Sequence, residues 1–332
     1  MRTKICFALL MGLVPLLGGC SRHSKKEHYY LIATSTKHAY WQSAASGFSK
    51  AAAEYGVTAE VRGPDGFDPQ AEVTEFRNAV SAKPAGILVS VANEDLFRPE
   101  INSAIAAGVP VITIDSDAPT SQRLYFIGTN NLQAGRLGGA RVASQLNGKG
   151  NVAFFTIANQ PNLEERLKGY RDVFAGYPGI KVAEVFDMKG DSGLAMDKVK
   201  DYLTKTGAER IDALVCLEST SGKDVGEAIK RAGPLGRRLL VAMDVDVPTL
   251  RLVADGTIDS TISQKPYTMA YLGLKALDNV HHYPADPLAG DYGLDPYAPF
   301  PAFVDTGVSL VDSSNVDEIL KAQQRHGVNI NP

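Results

Sequence analysis

The residues best equipped for chemistry start with two aromatics. Tyr40 and Trp41 stand in the stretch Tyr29 to Gly47, YYLIATSTKHAYWQSAASG, and Trp41 is the only tryptophan in the chain. An apolar run, Tyr29–Ala33, reads as a buried strand; a polar loop, Thr34–His38, follows, and a small-residue helix begins near Ala39. In an open parallel sheet, ligands bind where strands end and helices begin. Flat aromatic faces at such a place suit a ligand with an apolar side and a rim of hydroxyls, such as a sugar. Two carboxylates occupy equivalent positions further on: Asp115 closes VPVITID and Asp244 closes LLVAMD. A carboxylate accepts from two hydroxyls, and a guanidinium such as that of Arg166 donates as a fork. Hydrogen bonds to charged groups contribute roughly 1.5–3 kcal/mol each. An epimer that misplaces one hydroxyl leaves a buried polar group unmatched, which is a source of specificity.

The elements that must position these residues alternate almost to the end of the chain. Apolar runs suited to buried strands are separated by helical patterns, which predicts parallel α/β structure. Strand Thr58–Arg62 leads to the turn Gly63-Pro64-Asp65-Gly66, and Asp68 precedes Pro69 as an N-cap before a first-turn proline. Strands are predicted over Ala85–Val91, Val109–Asp115 and Leu124–Gly128, then Asn151–Ile157, Ile180–Val185, Asp212–Leu217, Leu239–Asp244 and Ile258–Gln264. The halves echo each other: AGILVSVANEDLF…AIAAGVPVITIDSD parallels DALVCLESTSGKDV…AIKRAG…LLVAMDVD. Both read strand, helix, glycine, strand, aspartate. Two tandem sheets fit two lobes, each a doubly wound unit with a carboxylate at the same strand end. After a helix at Tyr267–Val280, residues 281–301 are rich in Pro, Gly, Asp and Tyr. A strand, Ala302–Val311, and a helix near Val316–Gln324 close the chain.

The first twenty residues stand apart from this pattern. Arg2 and Lys4 form a short basic region, Ile5 to Leu17 is almost wholly apolar, and Leu17-Gly18-Gly19-Cys20 closes the stretch. That is the layout of an export signal, too short to be a span. The closing Leu-Gly-Gly-Cys resembles the lipobox of bacterial lipoproteins, which implies lipidation of Cys20, a mature N-terminus there, and a polar tether at Ser21–Lys26. Cleavage would remove Arg2 and Lys4 from 34 basic side chains, leaving 32 against 37 acidic ones, a net charge of −5. A mildly acidic exported protein lacks the basic face that nucleic acid requires. Of three cysteines, Cys6 leaves with the signal and Cys20 is acylated, so Cys216 stands alone in an apolar run. No disulfide framework or metal-ligand cysteine spacing exists. His281 and His282 adjoin each other without a third ligand nearby in sequence, so they are expected in a solvated loop, and no metal or cofactor is expected. There is no serine elbow, P-loop, GxGxxG or zincin motif.

From Tyr29 onward the chain resembles the substrate-binding proteins of sugar ABC transporters, of the ribose/galactose type with the periplasmic binding protein type I fold. The residues that carry the resemblance are LIATSTKHAYWQSAASG, Val109–Asp115, IGTNNLQAGRLGG, Arg166-Leu167-Lys168-Gly169-Tyr170, Asp244 in VAMD, STISQ ending at Gln264, and the closing VDTGVSLVDSSNVDE. The resemblance implies a signal peptide at 1–19, a lipidated tether at 20–27, an N-terminal lobe of 28–130 plus 265–300, and a C-terminal lobe of 131–264 plus 301–332. Three crossings would fall near Asn131, Gln264 and Phe300. Ligand contacts carry over to stacking Tyr40 and Trp41, to Thr34 or His38, to Asp115 with the adjoining Ser116, to Asn130, Arg166, Glu218 and Asp244, and to the hinge amide of Gln264. Three departures mark a retuned pocket: Ser116 where relatives often carry Arg, Glu218 where they often carry Asn, and no second-lobe aromatic near Gly190. The function implied is binding of a monosaccharide or similar polyol, by a monomer anchored to the membrane by lipid alone, for delivery to a membrane permease. A ligand sensor for a membrane receptor kinase uses the same fold. An enzyme with Asp115 and Asp244 as acid and base rests on carboxylates that binding already explains.

Overall fold

A computed structural model describes residues 23–325 except 291, 293 and 294. The expected export signal at 1–19 and the expected lipidation site at Cys20 lie outside the described residues.

In the first half β1 (His28–Ile32), α1 (Ala39–Tyr55), β2 (Thr58–Arg62), α2 (Pro69–Ser81), β3 (Gly86–Val89), α3 (Glu94–Ala106), β4 (Val111–Ile114) and β5 (Phe126–Gly128) alternate as the periodicity predicts. The second half repeats the plan. It runs through α4 (Asn131–Gln145), β6 (Lys149–Thr156), α5 (Pro161–Phe174), β7 (Gly179–Asp187), α6 (Ser192–Thr204) and β8 (Ala213–Cys216). It continues with α7 (Ser221–Arg231), β9 (Leu239–Met243), α8 (Val247–Ala254) and β10 (Ser260–Ser263). The chain closes with α9 (Pro266–His282), β11 (Phe303–Asp305), β12 (Ser309–Asp312) and α10 (Val316–Arg325). Local chemistry sets several of these boundaries. Asp68 caps α2 by accepting from the backbone N–H of Gln70 and Ala71, with Pro69 in the first turn, because the first helical N–H groups have no partner inside the helix.

Two six-stranded sheets form, in the orders β11-β5-β4-β3-β1-β2 and β12-β10-β9-β8-β6-β7. Numbered within each half, the orders are the same, which is the internal repeat read from the sequence. Strands β3, β4 and β8 are buried throughout, and β9 is buried after Leu239, as expected where helices cover both faces. Each sheet has its own apolar core. Helix α9 returns to the first core through Met269, Leu274 and Leu277. Cys216 is buried in the second core, and burial pushes its thiol pKa up, so it behaves as a small hydrophobe.

The C-terminal strand departs from expectation. Ala302–Val311 is two strands in two different sheets. β11 runs parallel to β5 in the first, and β12 runs antiparallel to β10 in the second. The third crossing therefore falls at residues 306–308 rather than near Phe300, and 303–305 belongs with the first sheet rather than the C-terminal lobe. Gly307 makes the break, with φ at +83°, a left-handed value that glycine adopts without a Cβ clash. The three crossings lie side by side. Thr306 donates through its N–H (2.8 Å) and its hydroxyl (3.0 Å) to the Gly128 carbonyl, and the Asn130 N–H donates to Asp305 (3.2 Å).

The histidine pair is also placed differently. His281 and His282 end α9 rather than sit in a solvated loop, and His282 bonds Glu27 at 3.2 Å. Residues 23–27, expected as tether, lie against the end of that helix. No helix among the described residues is long and apolar enough to cross a membrane.

Candidate functional site

Asp115 and Asp244 each follow immediately on a buried strand, β4 and β9. Their backbone N–H groups bond the neighbouring strand, Asp115 to Ile127 O (3.2 Å) and Asp244 to Ile262 O (2.8 Å). Each then turns into the left-handed region, with φ of +64° and +69°, which Asp tolerates better than most residues. Both carboxylates are thereby aimed into one cavity of about 170 Å³ between the lobes. That is below the ~300–1,000 Å³ of drug-sized ligand pockets, so the guest is small.

A guanidinium sits between the carboxylates. Arg166 is 3 % exposed on α5, and its three donor nitrogens are all engaged. Nε donates to Asn131 Oδ1 (2.8 Å), one terminal nitrogen to Leu217 O (2.8 Å) and the other to Gln264 Oε1 (2.9 Å). It does not pair with Glu164 or Glu165. This seat requires α4 and α5 to approach closely: a Cβ on Gly135 would stand 2.0 Å from the Arg166 carbonyl.

Gln264, at the second crossing, joins the set. Its Oε1 accepts from Thr129 Oγ1 (2.7 Å) as well as from Arg166, and its Nε2 donates to Asp244 at 3.0 and 3.2 Å. Thr129 belongs to the first crossing, so one amide ties two crossings, the guanidinium and a carboxylate together. Burial raises the pKa of Asp244 to about 7, against the lowering effects of Arg166 and Gln264. Asp115 is raised by the same cause and held down by Arg166 and by hydrogen bonds from Tyr40 and Ser90. One guanidinium thus faces two buried acids, a set that favours a guest bringing further hydrogen-bond donors.

The first lobe supplies the aromatic wall. Tyr40 donates its hydroxyl to Asp115 Oδ1 at 2.6 Å, and Trp41 Nε1 donates to Thr34 Oγ1 at 2.9 Å. The two rings meet edge-on at 5.2 Å. His38 caps α1, Nδ1 accepting from the Tyr40 N–H at 3.3 Å. Burial lowers its pKa, partly offset by Glu218 and Asp246. Thr34, His38, Tyr40, Trp41, Asp115, Arg166, Glu218, Asp244 and Gln264 all line the cavity. Glu218 does so while its carboxylate accepts from the N–H and hydroxyl of both Thr220 and Ser221 at the start of α7. It caps a helix and walls the pocket at once.

Two expected contacts fall elsewhere. Asn130 is exposed and caps α4, accepting from the Gln133 N–H at 2.9 Å. Its neighbour Asn131 is the buried one, because only the next residue around the helix faces α5. Ser116 is wholly buried and outside the cavity wall; the turn that aims Asp115 inward carries the next side chain away.

The structure also brings in residues that sequence reasoning passed over. Gln160 and Asn162, at the start of α5, line the cavity with the acceptor oxygens Oε1 and Oδ1 buried and without a protein partner. Buried polar groups in native proteins are nearly always satisfied, so these point to a guest that donates. Asn162 Nδ2 also reaches across the lobes to Asp115 Oδ2 at 3.4 Å. The aromatic missing near Gly190 comes from the opposite lobe: Phe67 packs against the second core, and a Cβ on Gly190 would lie 2.9 Å from Phe67 Cβ. The available signals were a phenylalanine in the polar turn GPDGFDP, and Asn162 four residues before Arg166 on one helical face.

Two repeated lobes closed over a small, polar, two-sided cavity define a hinged ligand-binding protein. The chain belongs to the periplasmic binding protein domain family, whose sequence model matches residues 29–281. A solved sugar ABC transporter (sugar-binding protein) from Bacillus halodurans is 34% identical, with a TM-score of 0.74 over 88% of this chain and 99% of that one. A chain solved as an XylFII-LytSN complex is 26% identical, with a TM-score of 0.77 over 87% of this chain and 98% of that one. The xylose/arabinose-binding protein XylF of Sulfolobus acidocaldarius is 24% identical over 281 residues, which are 80% of this chain and 66% of that one. The chain thus spans about two thirds of that relative's length.

Proposed function

We propose that this protein captures a monosaccharide or similar polyol between its lobes and delivers it to the membrane permease of an ABC transporter. The observation that carries the reading is one cavity in which two buried carboxylates, a locked guanidinium and two unpartnered amide oxygens face an aromatic wall. Sugar hydroxyls donate to Asp115, Asp244, Gln160 and Asn162, and the flat face of the ring lies against Tyr40 and Trp41. The work done is binding, not catalysis: Asp115 and Asp244 are acceptors here. A guest that touches both lobes stabilises the closed form by its differential affinity for it. One chain supplies the whole cavity, in keeping with a monomer.

In this reading the first 19 residues are an export signal and a lipid on Cys20 holds the protein at the extracytoplasmic face. Cys20→Ser should release it from membranes. Resemblance to a chain in an XylFII-LytSN complex favours a second reading, in which the sugar-loaded form signals to a membrane receptor.

A thermal-shift and calorimetric screen of pentoses, hexoses, deoxysugars and polyols tests the proposal. One or a few compounds should bind with 1:1 stoichiometry and shrink the radius of gyration in solution scattering. Absence of binding across the panel, or turnover of a bound sugar, would overturn it.

A further inference from the structure

At the far end of the first lobe, four side chains from two distant segments converge. His23 and Glu27 come from the N-terminal segment, Asp278 and His282 from the last turn of α9. His23 Nε2 lies 3.1 Å from Asp278 Oδ2, His282 Nε2 3.2 Å from Glu27 Oε2, and His282 Nε2 3.6 Å from Asp278 Oδ1. Ligand atoms of His23, Asp278 and His282 all fall within 4.8 Å of one another. We propose that three of them, His23, Asp278 and His282, bind one zinc ion, which staples the N-terminal segment to the end of α9, with Glu27 beside His282.

Three observations carry the assignment. Zinc bonded to nitrogen and oxygen at about 2.0–2.1 Å in a tetrahedron places neighbouring ligand atoms about 3.3 Å apart, close to the 3.1 and 3.6 Å between Asp278 and the two histidines. The four side chains are only 8–22% exposed. Among the described ion pairs, the partners of Asp278 and Glu27 are histidines. Two largely buried carboxylates beside two imidazoles form a set whose charge a divalent cation neutralises. Finally, the Tyr29 hydroxyl donates to Asp278 Oδ1 at 3.2 Å, the kind of outer hydrogen bond that fixes the orientation of a ligating carboxylate. The His23 ring is steadied by stacking on Tyr55 at 4.7 Å.

The site is separate from the sugar cavity. Helix α9 begins beside Gln264 and runs 17 residues, about 25 Å at 1.5 Å per residue, before it reaches His282.

The test uses the purified full chain, stripped with chelator and titrated with Co²⁺ and then Zn²⁺. One Co²⁺ per chain should bind with the visible absorption of tetrahedral coordination, and equimolar Zn²⁺ should bleach it. His23→Gln and His282→Gln should each lower Zn²⁺ affinity at least tenfold while keeping the circular dichroism and the sugar affinity of the parent; His23, near the chain's start, is the change least able to disturb the core. No saturable metal binding by the parent, an octahedral Co²⁺ spectrum, or full affinity in both variants would overturn the proposal.

Discussion

Asp115 and Asp244 hold the same left-handed backbone conformation, φ +64° and +69°, each one residue beyond a parallel strand and each bonded by its N–H to the adjacent strand. A left-handed non-glycine residue costs of order 1 kcal/mol or more, and this chain carries that cost at both matching points of its repeat. The common geometry is what turns two similar half-chains into two jaws with an acid on each.

That geometry selects the informative substitution. Asn tolerates the left-handed region and keeps the side-chain shape, whereas Ala does neither. Asp244→Asn should weaken sugar binding by about 2 kcal/mol, roughly 30-fold, through loss of charge-assisted hydrogen bonds. Calorimetry with the preferred sugar measures it, and an unchanged affinity would make Asp244 a structural residue.

The raised pKa of Asp244 predicts opposite pH trends for stability and affinity. Its folded value, about 7, lies above the ordinary carboxylate value, so the sugar-free folded protein holds more protons than the unfolded chain. The contribution of this group to stability is complete below about pH 4 and is lost as pH rises through about 7. Sugar hydroxyls donate to the ionised form, so affinity should fall as pH drops below about 7, by at most ~10-fold per pH unit. Calorimetry and thermal melts at pH 5.5 and 8 read both trends, and Asp244→Asn should flatten them.

Gln264→Leu should be costly out of proportion to its size. It removes the acceptor of Thr129 and Arg166 and the donor to Asp244, and each buried group left unpaired costs about 1–3 kcal/mol. A lower urea midpoint together with weaker sugar binding is the expected result. An effect on stability alone would mean that the locked guanidinium does not reach the ligand.

Phe67 should set how long the guest stays. It belongs to the first lobe and packs against the second beside Gly190, a contact that bridges the two lobes. Phe67→Ala should speed sugar release several-fold with a smaller effect on association, since interface changes act mainly on dissociation. Stopped-flow fluorescence of Trp41, the sole tryptophan, which lines the cavity, reports it. If Trp41 emission is blind to a sugar that binds by calorimetry, Trp41 is not a contact.

What could be read in the chain follows the range of each physical signal. Alternation of apolar runs and helical faces is local, and it placed β2 to the residue and the other strands as far as β10 within one or two. The repeat supplied the equivalence of Asp115 and Asp244 before any geometry. Features that depend on distant partners were not legible. Phe67 meets Gly190 across 123 positions, and His23 meets Asp278 across 255. Asn130 and Asn131 are neighbours in sequence, yet one caps a helix in solvent and the other holds Arg166; a helical turn of about 100° per residue decides between them. The strand expected at Ala302–Val311 contains a change of sheet because Gly307 reads like any loop glycine until its crossing is known.

The outermost strand of the first sheet, Phe303–Asp305, is made after five of the six strands of the second. The earlier lobe is thus completed only when most of the later one exists. A ribosome halted midway would release no finished half, and removal of the last thirty residues would strip an edge from both sheets in one stroke. The first sheet cannot be completed by a contiguous stretch that leaves out the second lobe, because β6 to β10 all lie between β5 and β11.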